Sequence, residues 1–340
     1  MIKFQNIMLR LMMNLPKFIQ LKLSKRSQIE LQGRKLSSAI QLMLSFNENV
    51  PDIDYSSIEA KDFREMYDVP NPMSFYSKES EKMVTKDHDI SVDNGSIKVR
   101  EYLIEETSDS SLLYFHGGGF TSGNLESHNN LCKYLAHLLG MKVFSVDYRK
   151  SPEYKFPIPL NDCNYAFQWL IDNSKNFRLD SSRLYMGGDS AGGNLSAAVS
   201  LRRRDEGLIL PLAQLLLYPV TDLRFLTESY KLLGKGYLLT ENMMRWFSNN
   251  YINNSEEILN ESVSPLLAED FTGLPSSVVV TAGFDPLRDE GFQYSNRLKL
   301  AGVDSVYREQ EGLIHAFAQF GIIPECRSAI KSACKDLLSL

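Results

Sequence analysis

Gly188-Asp189-Ser190-Ala191-Gly192-Gly193 follows the apolar run Leu184-Tyr185-Met186-Gly187 and precedes a helical pattern carrying Leu195, Ala198, Val199 and Leu201. A serine with glycines two positions away on each side suits a sharp strand-to-helix turn, because side chains at the flanking positions would meet neighbouring backbone. Such a turn exposes the Ser190 hydroxyl as a nucleophile. No other serine of the chain satisfies Gly-x-Ser-x-Gly. The strand before it and the helix after it separate the motif from a flexible Gly/Ser loop.

Upstream, His116-Gly117-Gly118-Gly119-Phe120 follows a second apolar run, Ser111-Leu112-Leu113-Tyr114-Phe115. Glycines at the mouth of a sheet let backbone N–H groups converge on an anion. The tetrahedral intermediate of acyl transfer carries that anion, and fixed donors aimed at it are the largest single catalytic contribution in many enzymes. Gly117, Gly118 and the N–H of Ala191 are the expected oxyanion donors. The loop continues as Thr121-Ser122-Gly123-Asn124 rather than Gly-Lys-Ser/Thr, which argues against a nucleotide phosphate site. His116 is expected to orient this loop by hydrogen bonding, not to serve as base.

Sites built on this kind of elbow take their partners in the chain order serine, acid, histidine. Of the five histidines, His88, His116, His128 and His137 precede Ser190, and His315 alone follows it. For the acid, the clearest buried run, Ser276 to Ala282, leads into Gly283-Phe284-Asp285-Pro286-Leu287-Arg288-Asp289. Asp285 is favoured by its place after a strand. Aspartate before proline is also a good helix cap, so a capping role alone stays open, with Asp289 as the reserve acid.

Together, His116-Gly117-Gly118-Gly119-Phe120, Asp147-Tyr148-Arg149, Gly188-Asp189-Ser190-Ala191-Gly192-Gly193, Asp285-Pro286-Leu287-Arg288-Asp289 and His315-Ala316-Phe317 give a chain that resembles the hormone-sensitive-lipase-like branch of the α/β-hydrolases. That branch includes many bacterial carboxylesterases. The resemblance covers roughly Val99 to Phe317. It implies Ser190 as nucleophile, Asp285 as acid, His315 as base, and oxyanion donors on the first glycines and Ala191. It further implies hydrolysis of small to medium acyl esters through an acyl-enzyme, with no metal or organic cofactor. An amidase or deacetylase on the same three residues, or a binding protein with this fold and no turnover, are the alternatives.

The segment Arg149-Lys150-Ser151-Pro152-Glu153-Tyr154-Lys155-Phe156-Pro157 departs from the family pattern, with Ser151 and Tyr154 where alanine and histidine are expected. It is expected to brace the oxyanion loop and the pocket. Glu153 is read as a partner of Arg149, either as a buried pair or at the surface.

The remaining pattern fits an α/β fold with a mostly parallel eight-stranded sheet. Strands are expected near 84–92, 96–104, 111–116, 142–148, 183–187, 212–218, 276–282 and 305–309, with Asn94-Gly95 turning the first hairpin. Helices near 126–139, 160–173, 191–204, 287–301 and 326–338 would cover its faces. A catalytic domain over 81–340 is expected to carry a helical cap. That cap is built from residues 1–80, with Ser37 to Phe46 helical and Pro51 to Pro72 irregular, and from an aromatic-rich insertion at 220–262.

At 340 residues and a net charge of −5, the chain has ample core and no general electrostatic reason to bind nucleic acid. Cys132, Cys163, Cys326 and Cys334 have no metal-ligand spacing and are expected as buried thiols in a cytoplasmic protein. The apolar amino-terminal run is broken by Arg10, Pro16 and Lys17, so no stable membrane insertion is expected. A cap helix is preferred there over a basic amphipathic segment touching a membrane surface. The expected partner is a small-molecule ester, with a homodimer also allowed.

Overall fold

The computed structural model describes residues 2–46, 53–75, 82–104 and 108–340. Two helices, α1 (Ile2–Met13) and α2 (Lys17–Ser24), lead into a small antiparallel ribbon of β1 (Glu30–Leu31) and β2 (Arg34–Lys35), then α3 (Ser38–Ser45) and α4 (Ala60–Tyr67). The hairpin β3 (Thr85–Val92) and β4 (Gly95–Tyr102) opens the main sheet. Alternation follows: β5 (Ser111–Phe115), α5 (Asn129–Leu139), β6 (Lys142–Asp147), α6 (Ile158–Asp172), β7 (Leu184–Asp189) and α7 (Ala191–Asp205). After β8 (Ala213–Leu217) come α8 (Glu228–Leu233) and α9 (Glu241–Tyr251), then β9 (Ser276–Phe284), α10 (Arg288–Leu300), β10 (Ser305–Ile314) and α11 (Pro324–Leu337).

The eight strands lie in the order β10-β9-β8-β7-β5-β6-β4-β3, parallel from β10 to β6 and antiparallel through β4 and β3. Successive side chains of a strand face opposite sides, and each strand therefore feeds two cores. Leu112, Val143, Leu215 and Val278 pack with α5 and α11, while Leu113, Phe144 and Met186 pack with α6 and α7. Leu216 and Val279 meet α7 and α10 through Leu201, Tyr294 and Leu298. Being covered on both faces, β5, β7, β8 and β9 are buried almost throughout and read as largely apolar runs.

Three expectations change. The hairpin turns on Asp93-Asn94, since Val92 pairs with Gly95, and Asn94 takes the left-handed conformation at φ 57°. β10 continues to Ile314 instead of stopping at 309, with a register shift after Gln310. Within the supposedly irregular 51–72, Ala60–Tyr67 is a helix whose buried face is only Ala60 and Phe63. Tertiary packing of Phe63, not a long periodic pattern, holds it.

Phe63 joins Tyr230, Leu239, Met243, Met244, Trp246 and Leu287 in a small core of its own, which unites α4 with the helices of the insertion. Thr227 and Thr240 start those helices by accepting the N–H of Tyr230 and Met243. Met13, Leu36, Ile40 and Leu42 instead join the sheet core beside α11. All four cysteines are buried free thiols. Among the described residues, no helix is long and apolar enough to cross a membrane.

Candidate active site

β7 ends at Asp189 and α7 begins at Ala191, with Ser190 between them at φ 55°, ψ −117°. That conformation is strained for a residue with a side chain, and it turns the hydroxyl away from the sheet. The flanking glycines are steric necessities. A Cβ on Gly192 would overlap the Phe115 carbonyl, and one on Gly188 would overlap both that carbonyl and Gly192 itself.

His315 immediately follows β10, and its Nε2 lies 2.9 Å from Ser190 Oγ. Its Nδ1 lies 2.8 Å from Asp285 Oδ2. Because Nδ1–H must donate to the carboxylate, Nε2 carries the lone pair that faces the serine hydroxyl. Asp285, fully buried after β9, uses its other oxygen to accept the N–H of Leu287 at 2.9 Å. One oxygen of the carboxylate thus holds the histidine and the other the turn leading into α10, whose N-cap is Leu287. Asp289 faces elsewhere: it accepts the N–H of Ser229 and the guanidinium of its neighbour Arg288.

The glycine loop corrects one expectation. The N–H of Gly117 donates to Asp189 Oδ1 at 3.0 Å within the buried interior, so it is committed and cannot also serve an oxyanion. Gly118 (φ 122°) and Gly119 (φ 58°) follow it. Among the described residues, no hydrogen bond takes the N–H of Gly118, Gly119 or Ala191. His116 does brace this loop: its Nδ1–H donates to the Gly117 carbonyl at 2.9 Å, and its own carbonyl accepts the Tyr148 hydroxyl at 2.8 Å. Burial holds the His116 imidazole well below its ordinary pKa of 6.5, so it is neutral at neutral pH.

The sequence model of a family described as the alpha/beta hydrolase fold matches residues 112–319. The chain belongs to the α/β-hydrolase family. It is 40% identical to the carboxylic ester hydrolase LipN of Mycobacterium tuberculosis over 230 residues, 66% of this chain and 61% of the relative. It is 37% identical to an arylesterase of Saccharolobus solfataricus over 68% of this chain and 76% of that one. Among solved structures, a thermostable esterase from Pseudomonas putida superposes with a TM-score of 0.82 at 32% identity, over 88% of this chain and 95% of its own.

Sequence reasoning gave no role in this α/β-hydrolase to Asp189. Its Oδ1 also accepts the Tyr114 hydroxyl at 2.8 Å, and His128 Nε2 stands 3.3 Å away, near enough for charge attraction though poorly aligned as a hydrogen bond. Burial alone would raise the carboxyl pKa. The His128 charge and the bonds from Tyr114 and Gly117 outweigh it and hold the group below the ordinary carboxylate range. Its place inside the serine motif was the available signal.

Arg64 of α4 was also missed, and nothing in its polar surroundings points to it. Its guanidinium donates to the Thr121 carbonyl (2.7 Å), the Ser151 carbonyl (2.7 Å) and both oxygens of Glu153 (2.8 and 2.6 Å). Asp68, at the end of the same helix, accepts the N–H of Gly123 at 2.6 Å. Hence α4 grips the oxyanion loop at two points. Glu153 is therefore not the partner of Arg149, which pairs with buried Asp162 at 2.6 Å. The 149–157 segment does brace the loop, through Ser151 Oγ on the Phe120 carbonyl and on Thr121 Oγ1.

A cavity of about 430 Å³ opens onto Ser190 and His315. Phe63, Leu223, Phe225, Met243, Phe247 and Phe320 supply apolar wall, and Asp68, Ser122 and His128 form polar patches on it.

Proposed function

We propose that this α/β-hydrolase is a serine carboxylesterase acting on small to medium acyl esters. The observation that carries the reading is the continuous hydrogen-bond chain from Asp285 through His315 to Ser190 at the floor of an apolar cavity. His315 Nε2 takes the hydroxyl proton as Ser190 Oγ attacks the ester carbonyl, and Asp285 stabilises the imidazolium that forms. The new oxyanion lies against the N–H groups of Gly118, Gly119 and Ala191. Collapse of the tetrahedral species breaks the bond to the alcohol oxygen, which takes the proton from His315 and leaves an acyl-Ser190. Water, giving its proton to His315, then releases the acid and restores the serine.

Curated relatives whose names denote carboxylic ester and aryl ester hydrolysis support the reaction class. The cavity volume suits a ligand of modest size, and its apolar wall suits an acyl chain. The α4 segment and the 220–262 insertion, which share one small core over this cavity, form the cap in this reading. The reading extends to cytoplasmic residence, supported by four buried free thiols, and to a homodimer, for which the sheet's terminal strand β3 offers an edge.

A chain-length series of aryl esters run with wild type and Ser190→Ala tests the proposal. Hydrolysis falling by about 10⁴-fold or more in the variant, with loss of labelling by an active-serine probe, is the expected result. Wild-type turnover by Ser190→Ala would overturn the nucleophile assignment. Activity confined to long-chain emulsified lipids would overturn the substrate class.

A further inference from the structure

The amino-terminal helices have an unusual polarity. On α2 the inward side is polar: Gln20 is buried, receives the Ser38 hydroxyl on its Oε1 and donates to the Met13 carbonyl, and buried Ser24 accepts the Gln41 amide. The outward side carries Phe18, 72% exposed, and Leu23, together with exposed Lys17, Lys22 and Lys25. Hydrophobic residues of a surface helix ordinarily face the core, so this arrangement is inverted. On α1, Met13 faces the sheet core while Met8 and Leu11, one turn apart, face outward.

Charge follows the same segment. Residues 1–29 hold six of the chain's 37 basic residues and none of its 42 acidic ones, although the whole chain is at −5. An outward face that alternates large apolar side chains with lysines matches one surface chemistry: acyl chains beneath anionic headgroups. In a symmetric dimer the same patch would meet itself and set lysines against lysines, which disfavours a second copy as the occupant.

We propose that α1 and α2 form a peripheral docking face for an anionic lipid bilayer. Phe18, Leu23, Met8 and Leu11 enter the headgroup boundary, and Lys17, Lys22 and Lys25 lie against lipid phosphates. The segment is tied to the catalytic body by Asn14, just after α1, which donates to the Ile322 carbonyl at 3.1 Å, two residues beyond the cavity-lining Phe320. The contact is adsorption, since among the described residues no helix is long and apolar enough to cross a bilayer.

The test uses the full chain with sedimented vesicles of phosphatidylcholine alone, and of phosphatidylcholine with about one-third phosphatidylglycerol, at low and high salt. Wild type is expected to partition onto the anionic vesicles, more weakly at high salt. Lys17→Gln, Lys22→Gln and Lys25→Gln should each lower partitioning about fivefold, equivalent to about 1 kcal/mol per lysine. Phe18→Ser with Leu23→Ser should lower it further, while hydrolysis of a water-soluble aryl ester stays at the wild-type rate, because these residues touch neither the triad nor the cavity. The proposal fails if wild type leaves anionic vesicles unbound, or if these variants bind as well as wild type. It fails equally if wild type, unbound to vesicles, forms a dimer that Phe18→Ser dissociates, which would make the face a self-association surface.

Discussion

Asp189 Oδ1 takes the backbone N–H of Gly117 at 3.0 Å, linking the residue beside the nucleophile to the root of the oxyanion loop. The same oxygen holds the Tyr114 hydroxyl, so the loop is anchored to the sheet through one carboxylate. In Asp189→Ala the Gly117 N–H would be buried without an acceptor, at a cost of about 1–3 kcal/mol, and the next two N–H groups would lose their aim. We expect kcat to fall by about 10²-fold with KM nearly unchanged, since the donors act on charge that develops only in the transition state. Asp189→Asn, which keeps an accepting oxygen, should retain more activity than the alanine variant. Steady-state kinetics on a short aryl ester decides it, and an unchanged kcat in folded Asp189→Ala would refute the anchoring role.

Arg64 joins α4 to the loop through two carbonyls and Glu153. Glu153 is half-exposed, so that ion pair contributes little, and the carbonyl bonds matter more. Arg64→Ala should lose about 2 kcal/mol and lower Tm by a few degrees. Turnover of short and long esters should drop together, because the loop and not the pocket width is disturbed. Lys at this position should restore little, as a single ammonium cannot span the fork of acceptors. Melting curves and a two-substrate comparison measure both effects; a drop confined to long esters would contradict the clamp.

Gly119 sits at φ 58° with its open side against the Phe247 ring. Gly119→Ala forces a Cβ into that ring in a conformation costing about 1 kcal/mol for any L-residue. The single variant should lose most activity. Adding Phe247→Ala should recover part of it, and a double-mutant cycle on kcat/KM reads this coupling. Strict additivity would show that the contact is not what disables the loop.

Glu290 accepts the N–H groups of Thr221 and Asp222, yet it is fully buried, and burial, with the nearby Asp222 and Asp285 charges, raises its pKa well above 4.5. The folded state therefore holds the Glu290 proton more tightly than the unfolded chain does. Its stabilising share is complete below about pH 4.5 and is lost as pH rises toward the folded value. Glu290→Gln keeps the acceptor and removes the titration. Relative to wild type, its Tm should be more favourable at pH 8 than at pH 5; a pH-independent difference would exclude ionisation of Glu290 as the cause.

Where the chain's pattern is local, it was readable. β5, β7 and β9 are largely apolar runs, the serine elbow and the glycine loop are each short unbroken motifs, and His315 is the one histidine downstream of Ser190. β10 was cut short because Glu309, Glu311 and Gly312 break its apolar character at the sheet's edge, where one side stays wet. α4 was passed over because only Ala60 and Phe63 of its eight residues are buried.

The amino-acid order by itself settled the alternation of strands and helices and the turn that exposes Ser190, which depend on spacing within a few residues, and it left His315 as the one histidine after that serine. Folding alone decided which N–H groups of the glycine loop are free, that Asp285 holds His315, and that Arg64 rather than Arg149 meets Glu153. Gly117 and Asp189, Asp285 and His315, and Arg64 and Glu153 are separated by 72, 30 and 89 positions. Hydrogen-bond partners at such separations follow from the packing of whole elements, which no short stretch of sequence encodes.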